Sequence, residues 1–193
     1  LKKDETAYYE QSYSDGWDAY KTKADIAKVR IPRDLRVVAK RLPCYLEKIK
    51  SQLSDSPKTI LHGDYRLDNC FLDLDAPSRR LVVFDWEFCC IGKGAFDIAT
   101  FITESFPPTE RRLLESRLLE LYHSILVTHG VRNYSFEQLL FDYRVSILDL
   151  LAFYVVVGGH CNYEGERSTQ YLTNQIDRLN ATIADWRCTE LLE

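Results

Sequence analysis

Three residues of this chain have types and spacing that could do chemistry together. Asp64 and Asn69 bracket one short loop, in the run Ile60-Leu61-His62-Gly63-Asp64-Tyr65-Arg66-Leu67-Asp68-Asn69, and Asp85 ends a second apolar run, Leu81-Val82-Val83-Phe84-Asp85-Trp86-Glu87. Each run is rich in Ile, Leu and Val, reads as a short buried strand, and delivers an acid to its end. Carboxylates at the edge of a core are paired, hydrogen-bonded or coordinating something. The amide oxygen of Asn69 and the carboxylate of Asp85 are hard ligands suited to Mg²⁺, which keeps waters and substrate phosphates in its shell. Asp64, free of the metal, could then accept the proton of an attacking hydroxyl.

The elements that must position these groups are mostly helical. Leu1 to about Val29 is polar and aromatic (Tyr8, Tyr9, Tyr13, Trp17, Tyr20), with loose helical segments around Gly16. Pro32 opens a helix whose apolar face is Leu35, Val38, Leu42, Leu46, Ile49 and Leu53, kinked or divided by Pro43. After the strand Thr59 to His62 comes a hairpin, Cys70 to Leu74 and Arg80 to Phe84, turning through Asp75-Ala76-Pro77-Ser78. A helix from Phe96 to about Glu104 precedes Pro107-Pro108. Three longer helices follow: one capped by Thr109, with Leu114, Leu118, Leu121, Tyr122 and Ile125 as its apolar face and Gly130 past its end; one opened by the capping box Ser135-Phe136-Glu137-Gln138 and apolar almost all round; and a last one striped by Leu172, Ile176, Leu179, Ile183 and Trp186. The fold class is therefore α+β, predominantly helical, with a small β-hairpin carrying the catalytic and metal-binding loops. The pattern excludes a repeating βαβ sheet.

The 193 residues suit one domain, and 46% apolar with 28% charged residues places the chain among globular proteins. A net charge of −4 argues against nucleic acid or an anionic membrane as partner. Six cysteines without a C-x-x-C pair read as reduced thiols of a cytoplasmic protein, which makes the sequons at Asn133 and Asn180 chance matches. No secretory signal opens the chain, and Val145 to Gly159 is too short to span a bilayer. The chain has no Met, not even at its start, so it reads as a piece of a longer protein or as a sequence lacking its methionine positions.

The spacing of His62-Gly63-Asp64 to Asn69 is that of the protein-kinase catalytic loop H-R-D-x-x-x-x-N, where a later D-F-G supplies the metal-binding Asp. Gly63 replaces the arginine, which argues against a switch built on an activation-loop phosphate. The full set, His62-Gly-Asp-Tyr-Arg-Leu-Asp-Asn69, Phe84-Asp-Trp-Glu-Phe88 and Ile91-Gly-Lys-Gly-Ala-Phe-Asp-Ile-Ala99, resembles the aminoglycoside phosphotransferase and choline kinase superfamily. It is most similar to the broad phosphotransferase group that includes kinase-like domains fused to acyl-CoA dehydrogenases. The resemblance implies the large, C-terminal lobe of a protein-kinase-like fold: a single domain over 1–193, with a helical segment over 1–58, the catalytic and metal-binding loops over 59–104, and a helical subdomain over 105–193. It implies Asp64 as catalytic base, Asn69 and Asp85 as Mg²⁺ and nucleotide ligands, and Asp97 as an acid bracing the loop. ATP and Mg²⁺ would be the cofactors, and a small molecule bearing a hydroxyl the acceptor. The family's small lobe, with its phosphate-covering loop and lysine, has no counterpart in the first 58 residues.

Other residues have a plainer reading beside the functional one. His62 braces the loop; Arg66 and Asp68 orient substrate or pair with each other; Glu87 reaches a second metal or is a hydrogen-bonded loop carboxylate. Cys89 and Cys90 read as buried apolar residues, Trp17 and Tyr20 as core or acceptor lining, and Asp149 as a buried hydrogen-bonding acid or part of the acceptor pocket. His123, His129 and His160 form no metal set. A metallophosphoesterase reading lacks its further His and Asp ligands. A catalytically incomplete, pseudokinase-like binding module is the alternative from outside enzymology.

Overall fold

A computed structural model describes residues 3–75 and 80–193. The expected hairpin turn falls on residues 76–78, outside those described. The elements are α1 (Lys3–Ile26), α2 (Arg33–Arg41), α3 (Leu46–Ser54), β1 (Thr59–Leu61), β2 (Cys70–Asp73), β3 (Arg80–Val83), β4 (Cys90–Gly92), α4 (Ala95–Ser105), α5 (Pro108–Thr128), α6 (Phe136–Gly158) and α7 (Glu166–Asp185). The protein is mostly helical, with two small antiparallel sheets.

Helix α6 is the axis of the core. Its capping serine works as the sequence predicts, Ser135 Oγ accepting from the Gln138 N–H at 3.1 Å. It is buried on every face, from Leu139 to Gly158, and packs against α1, α3, α4, α5 and α7. The loose N-terminal segments expected around Gly16 are instead one continuous helix, α1, whose Tyr13, Trp17 and Tyr20 are core residues. Gly16 permits this packing, because a Cβ there would lie 2.8 Å from the Val155 carbonyl oxygen of α6. Pro43 divides the next helical segment, forcing the 3₁₀ turn Leu42–Tyr45 between α2 and α3.

Helix α5 departs from its expected face. Its cap is Pro107, with Pro108 rather than Thr109 at the start. Leu121 and Ile125 are exposed, while Arg111, Glu115 and Leu119 are buried. Polar pairing accounts for the reversal: Arg111 binds Glu115 and reaches Asp185 of α7, and the Tyr143 hydroxyl donates to Glu115 at 2.7 Å. Sequence periodicity ranks side chains by polarity and is blind to such partners.

The strands are also not buried as expected. Strand β1 pairs with β4, and β2 pairs with β3. Each ribbon has two strands and no covering layer, so Ile60, Phe71, Leu81, Val82 and Ile91 are all more than half exposed, and only Leu61 enters the core. Cys89 and Cys90 are exposed as well, and all six cysteines are free thiols.

Between β4 and α4 the chain is pinned by a buried ion pair. Lys93 Nζ lies 3.0 and 2.9 Å from the two carboxylate oxygens of Asp142 on α6, which also accept from the Tyr134 hydroxyl and the Gln138 amide at 2.9 Å each. Lys93→Met would leave this carboxylate buried without its cation, so a loss of about 3–5 kcal/mol is expected in a denaturant titration. A change below about 1 kcal/mol would show that the pair is dispensable.

Candidate active site

The loop after β1 is held by its backbone. Asp97, in the first turn of α4, accepts the His62 N–H at 2.7 Å on one oxygen and the Gly63 N–H at 3.0 Å on the other. Burial pushes the Asp97 carboxyl above its usual range, while these two N–H groups pull it back down. Gly63 makes the turn with φ of +87°, and a Cβ there would come within 2.4 Å of the Phe88 carbonyl oxygen. Only glycine meets both conditions.

The His62 ring completes the frame. Its Nδ1 accepts the Asp64 N–H at 3.3 Å, which leaves the ring proton on Nε2, bonded to the Phe84 carbonyl at 2.8 Å. Trp86 covers the ring at 4.6 Å. Thus one imidazole ties the Asp64 loop to the residue preceding Asp85.

Asn69 ties them a second time. Its buried Nδ2 donates to the Asp64 backbone oxygen and to Asp64 Oδ2, both at 2.9 Å, and its own carbonyl accepts the Phe84 N–H at 3.1 Å. With the amide nitrogen turned to Asp64, Asn69 Oδ1 is left as a ligand atom. Arg66 Nε stands 3.5 Å from Asp64 Oδ2 and 3.8 Å from Asp68, and Arg66 Nη1 donates to the Tyr171 hydroxyl at 2.8 Å. Asp64 Oδ2 is therefore engaged, and Oδ1 has no partner among the described residues.

Asp85 follows β3 in the left-handed region, with φ of +67°, and its side chain is exposed. Aspartate tolerates that conformation better than most residues, yet it costs energy that the surrounding contacts must hold. Glu87, two residues further on, and Asp68 of the first loop are exposed as well. No group of three or more His, Cys, Asp or Glu among the described residues could hold a metal alone. A site of one carboxylate and one amide suits Mg²⁺, whose remaining ligands are waters and phosphates, and excludes an all-protein cage.

The profile of the phosphotransferase enzyme family matches residues 3–135, more than half of the chain. The chain belongs to this family. No curated protein and no solved structure matches it. In this phosphotransferase the matched stretch holds His62, Asp64, Arg66, Asp68, Asn69, Asp85, Glu87 and Asp97, while Asp149 lies beyond it. Helices α6 and α7 also lie beyond the match, and they bring two of the three side chains that the sequence pattern does not mark.

Those are Tyr154, Tyr171 and their neighbour Glu104 from the end of α4. The Arg66 guanidinium lies 5.0 Å from the Tyr171 ring centroid in addition to its hydrogen bond. A cavity of about 490 Å³ is lined by Asp68, Glu104, Tyr171, Asn174 and Arg178, and a smaller one of about 70 Å³ by Asp64, Phe88, Phe153, Tyr154 and Tyr171. A third, of about 550 Å³, is lined by His62 and Asp97 but by none of Asp64, Asn69 and Asp85. Asp149 lines none of these and pairs with Lys50 at 2.7 Å; Trp17 and Tyr20 are core. Tyrosines in an apolar helix have the pattern of core residues, so no local signal marks Tyr154.

Glu104 is buried, its Oε1 has no hydrogen-bond partner among the described residues, and burial pushes its carboxyl up to about 8, with Arg178 and Arg66 opposing. An acid raised this way is ionised in the unfolded chain but protonated in the folded one between its usual pKa and about 8. Stability should therefore fall as pH rises through that window, by on the order of 1 kcal/mol per unit, and level off above it. Glu104→Gln should flatten the decline in urea titrations run from acidic to mildly alkaline pH; an unchanged profile would contradict the assignment.

Proposed function

We propose that this phosphotransferase moves the γ-phosphoryl group of ATP to a hydroxyl of a small molecule with the help of Mg²⁺, and that residues 1–193 form the large lobe of a protein-kinase-like fold. The observation that carries the reading is the division of Asp64: Oδ2 is bound by Asn69 and faced by Arg66, and Oδ1 is free. That is the arrangement of a general base oriented by one oxygen and reactive at the other. Asp64 Oδ1 would take the proton of the acceptor hydroxyl as that oxygen attacks phosphorus. Asn69 Oδ1 and the Asp85 carboxylate would hold Mg²⁺, which when bound bridges phosphate oxygens and offsets their charge. His62 and Asp97 keep the loop in place, Arg66 steadies Asp64, and Asp68 and Glu87 border the site. Catalysis would come mainly from positioning and charge neutralisation.

The partners are then a nucleotide and a small hydroxyl acceptor, with neither nucleic acid nor membrane involved. Among the described residues no helix is long and apolar enough to cross a membrane. Free thiols at six positions suit the cytoplasm. A second reading, a kinase-like binding module without turnover, is favoured by the exposed apolar ribbons around Phe71, Leu81 and Val82.

ATP consumption with Mg²⁺ and a panel of alcohols distinguishes the two. Asp64→Asn should lower turnover by about 10²–10⁴-fold with little change in nucleotide affinity. Asp85→Asn should weaken Mg²⁺-dependent nucleotide binding itself. Full turnover in Asp64→Asn would sink the enzymatic reading, and binding without any turnover would establish the module.

A further inference from the structure

The small cavity beside Asp64 is lined by Tyr154, whose buried hydroxyl has no hydrogen-bond partner among the described residues. Tyr154 lies on the buried helix α6 and is 5% exposed. A buried hydroxyl left unpaired is costly, and such groups are retained where a ligand or water completes them. The charges acting on this hydroxyl are Glu104, Tyr171, Asp64 and Arg66, which places it within the polar cluster at the catalytic loop.

The walls decide what can enter. Phe88 and Phe153 meet edge to face at 5.1 Å on one side, and Val157 and Gly158 continue α6. No further room is available at Gly158, since a Cβ there would lie 2.8 Å from both the Tyr163 hydroxyl oxygen and the Tyr20 ring. At about 70 Å³ the space takes a slender arm of roughly three to five heavy atoms, and its lining is apolar apart from Asp64, Gln175 and the tyrosine hydroxyls. Branching at the reacting carbon would meet the aromatic walls. Tyr171 and Gln175 also line the 490 Å³ cavity, so the rest of an acceptor has a polar space next to the arm.

We infer that this cavity is the subsite for the reacting arm of the acceptor, that the acceptor is a primary alcohol on an unbranched chain, and that Tyr154 determines this preference. The inference rests on the phosphotransferase reading above. The acceptor oxygen sits between Asp64 Oδ1 and the Tyr154 hydroxyl, donating its proton to the first and accepting a hydrogen bond from the second. Its oxygen then forms a bond to the γ-phosphorus of the nucleoside triphosphate. The bond from that phosphorus to the β–γ bridging oxygen breaks, nucleoside diphosphate leaves, and the alcohol proton ends on Asp64. Tyr154 keeps its proton throughout, as burial holds the phenol well above its ordinary range.

The test uses 1-butanol, 2-butanol and tert-butanol as probes in two measurements. With Mg²⁺ and ATP, phosphorus NMR should show butyl phosphate from 1-butanol at ten times or more the yield from 2-butanol, and none from tert-butanol. Tyr154→Phe should lower the ratio of ester to hydrolysed phosphate about tenfold. Its thermal midpoint should be unchanged or higher, since it removes an unpaired hydroxyl. Separately, without nucleotide, 1-butanol should shift the Val157 and Gly158 amide resonances saturably, tert-butanol should not, and Tyr154→Phe should weaken the response. Selective shifts with no turnover would leave the subsite standing and remove the phosphotransfer reading. Equal responses to the three alcohols, or none at those amides, would overturn the subsite.

Discussion

Two backbone N–H groups on one carboxylate hold this site together. Asp97 receives the amides of His62 and Gly63, and through them the loop that carries Asp64 and Asn69 hangs from the first turn of α4. Directly after these two amides the chain turns sharply, with φ of +87° at Gly63, a conformation that glycine adopts freely. The same turn brings Asp64 N–H onto His62 Nδ1, sets the imidazole tautomer, and lets Nε2 hold the Phe84 carbonyl one residue before Asp85. Asp64 and the exposed acid of the second loop are thus positioned by one connected set of hydrogen bonds rather than by the strands themselves.

The helices supply the rigidity that the ribbons lack. Two-stranded sheets are weak alone, and both ribbons here leave their apolar side chains largely exposed. Their anchors are Leu61 in the core, Asp97 on α4, and the buried Lys93–Asp142 pair that ties the end of β4 to α6. An ion pair is a weak source of net stability but a strict one, since either partner alone would be buried and charged. The functional loops therefore sit on a frame whose fixed points are polar and directional.

Much of this was legible in the residues. Apolar spacing located α2 through α4 and α7, the Ser135 cap marked the start of α6, and the loop motif pointed to the phosphotransferase family whose profile matches residues 3–135. Three expectations failed for identifiable reasons. The apolar strands are exposed because two-stranded ribbons bury little, α5 turns paired polar groups inward where its leucines are expected, and α1 buries mainly aromatic residues, which carry no aliphatic stripe.

What the sequence by itself determined is the chemistry at hand: an acid, an amide and a second acid at fixed spacing, with glycine where the backbone must turn. Such a motif is local, and local rules of conformation and ligand type suffice to read it. What only the tertiary structure decided is which oxygen of Asp64 is free and what stands in front of it. The first depends on how the folded loop turns Asn69 and Arg66 onto Oδ2, and the second on Tyr154 and Tyr171, remote in the chain and brought to a cavity beside Asp64 by the packing of α6 and α7. Long-range packing of this kind leaves no periodic trace, because a tyrosine facing a cavity and a tyrosine facing the core look alike in a helix.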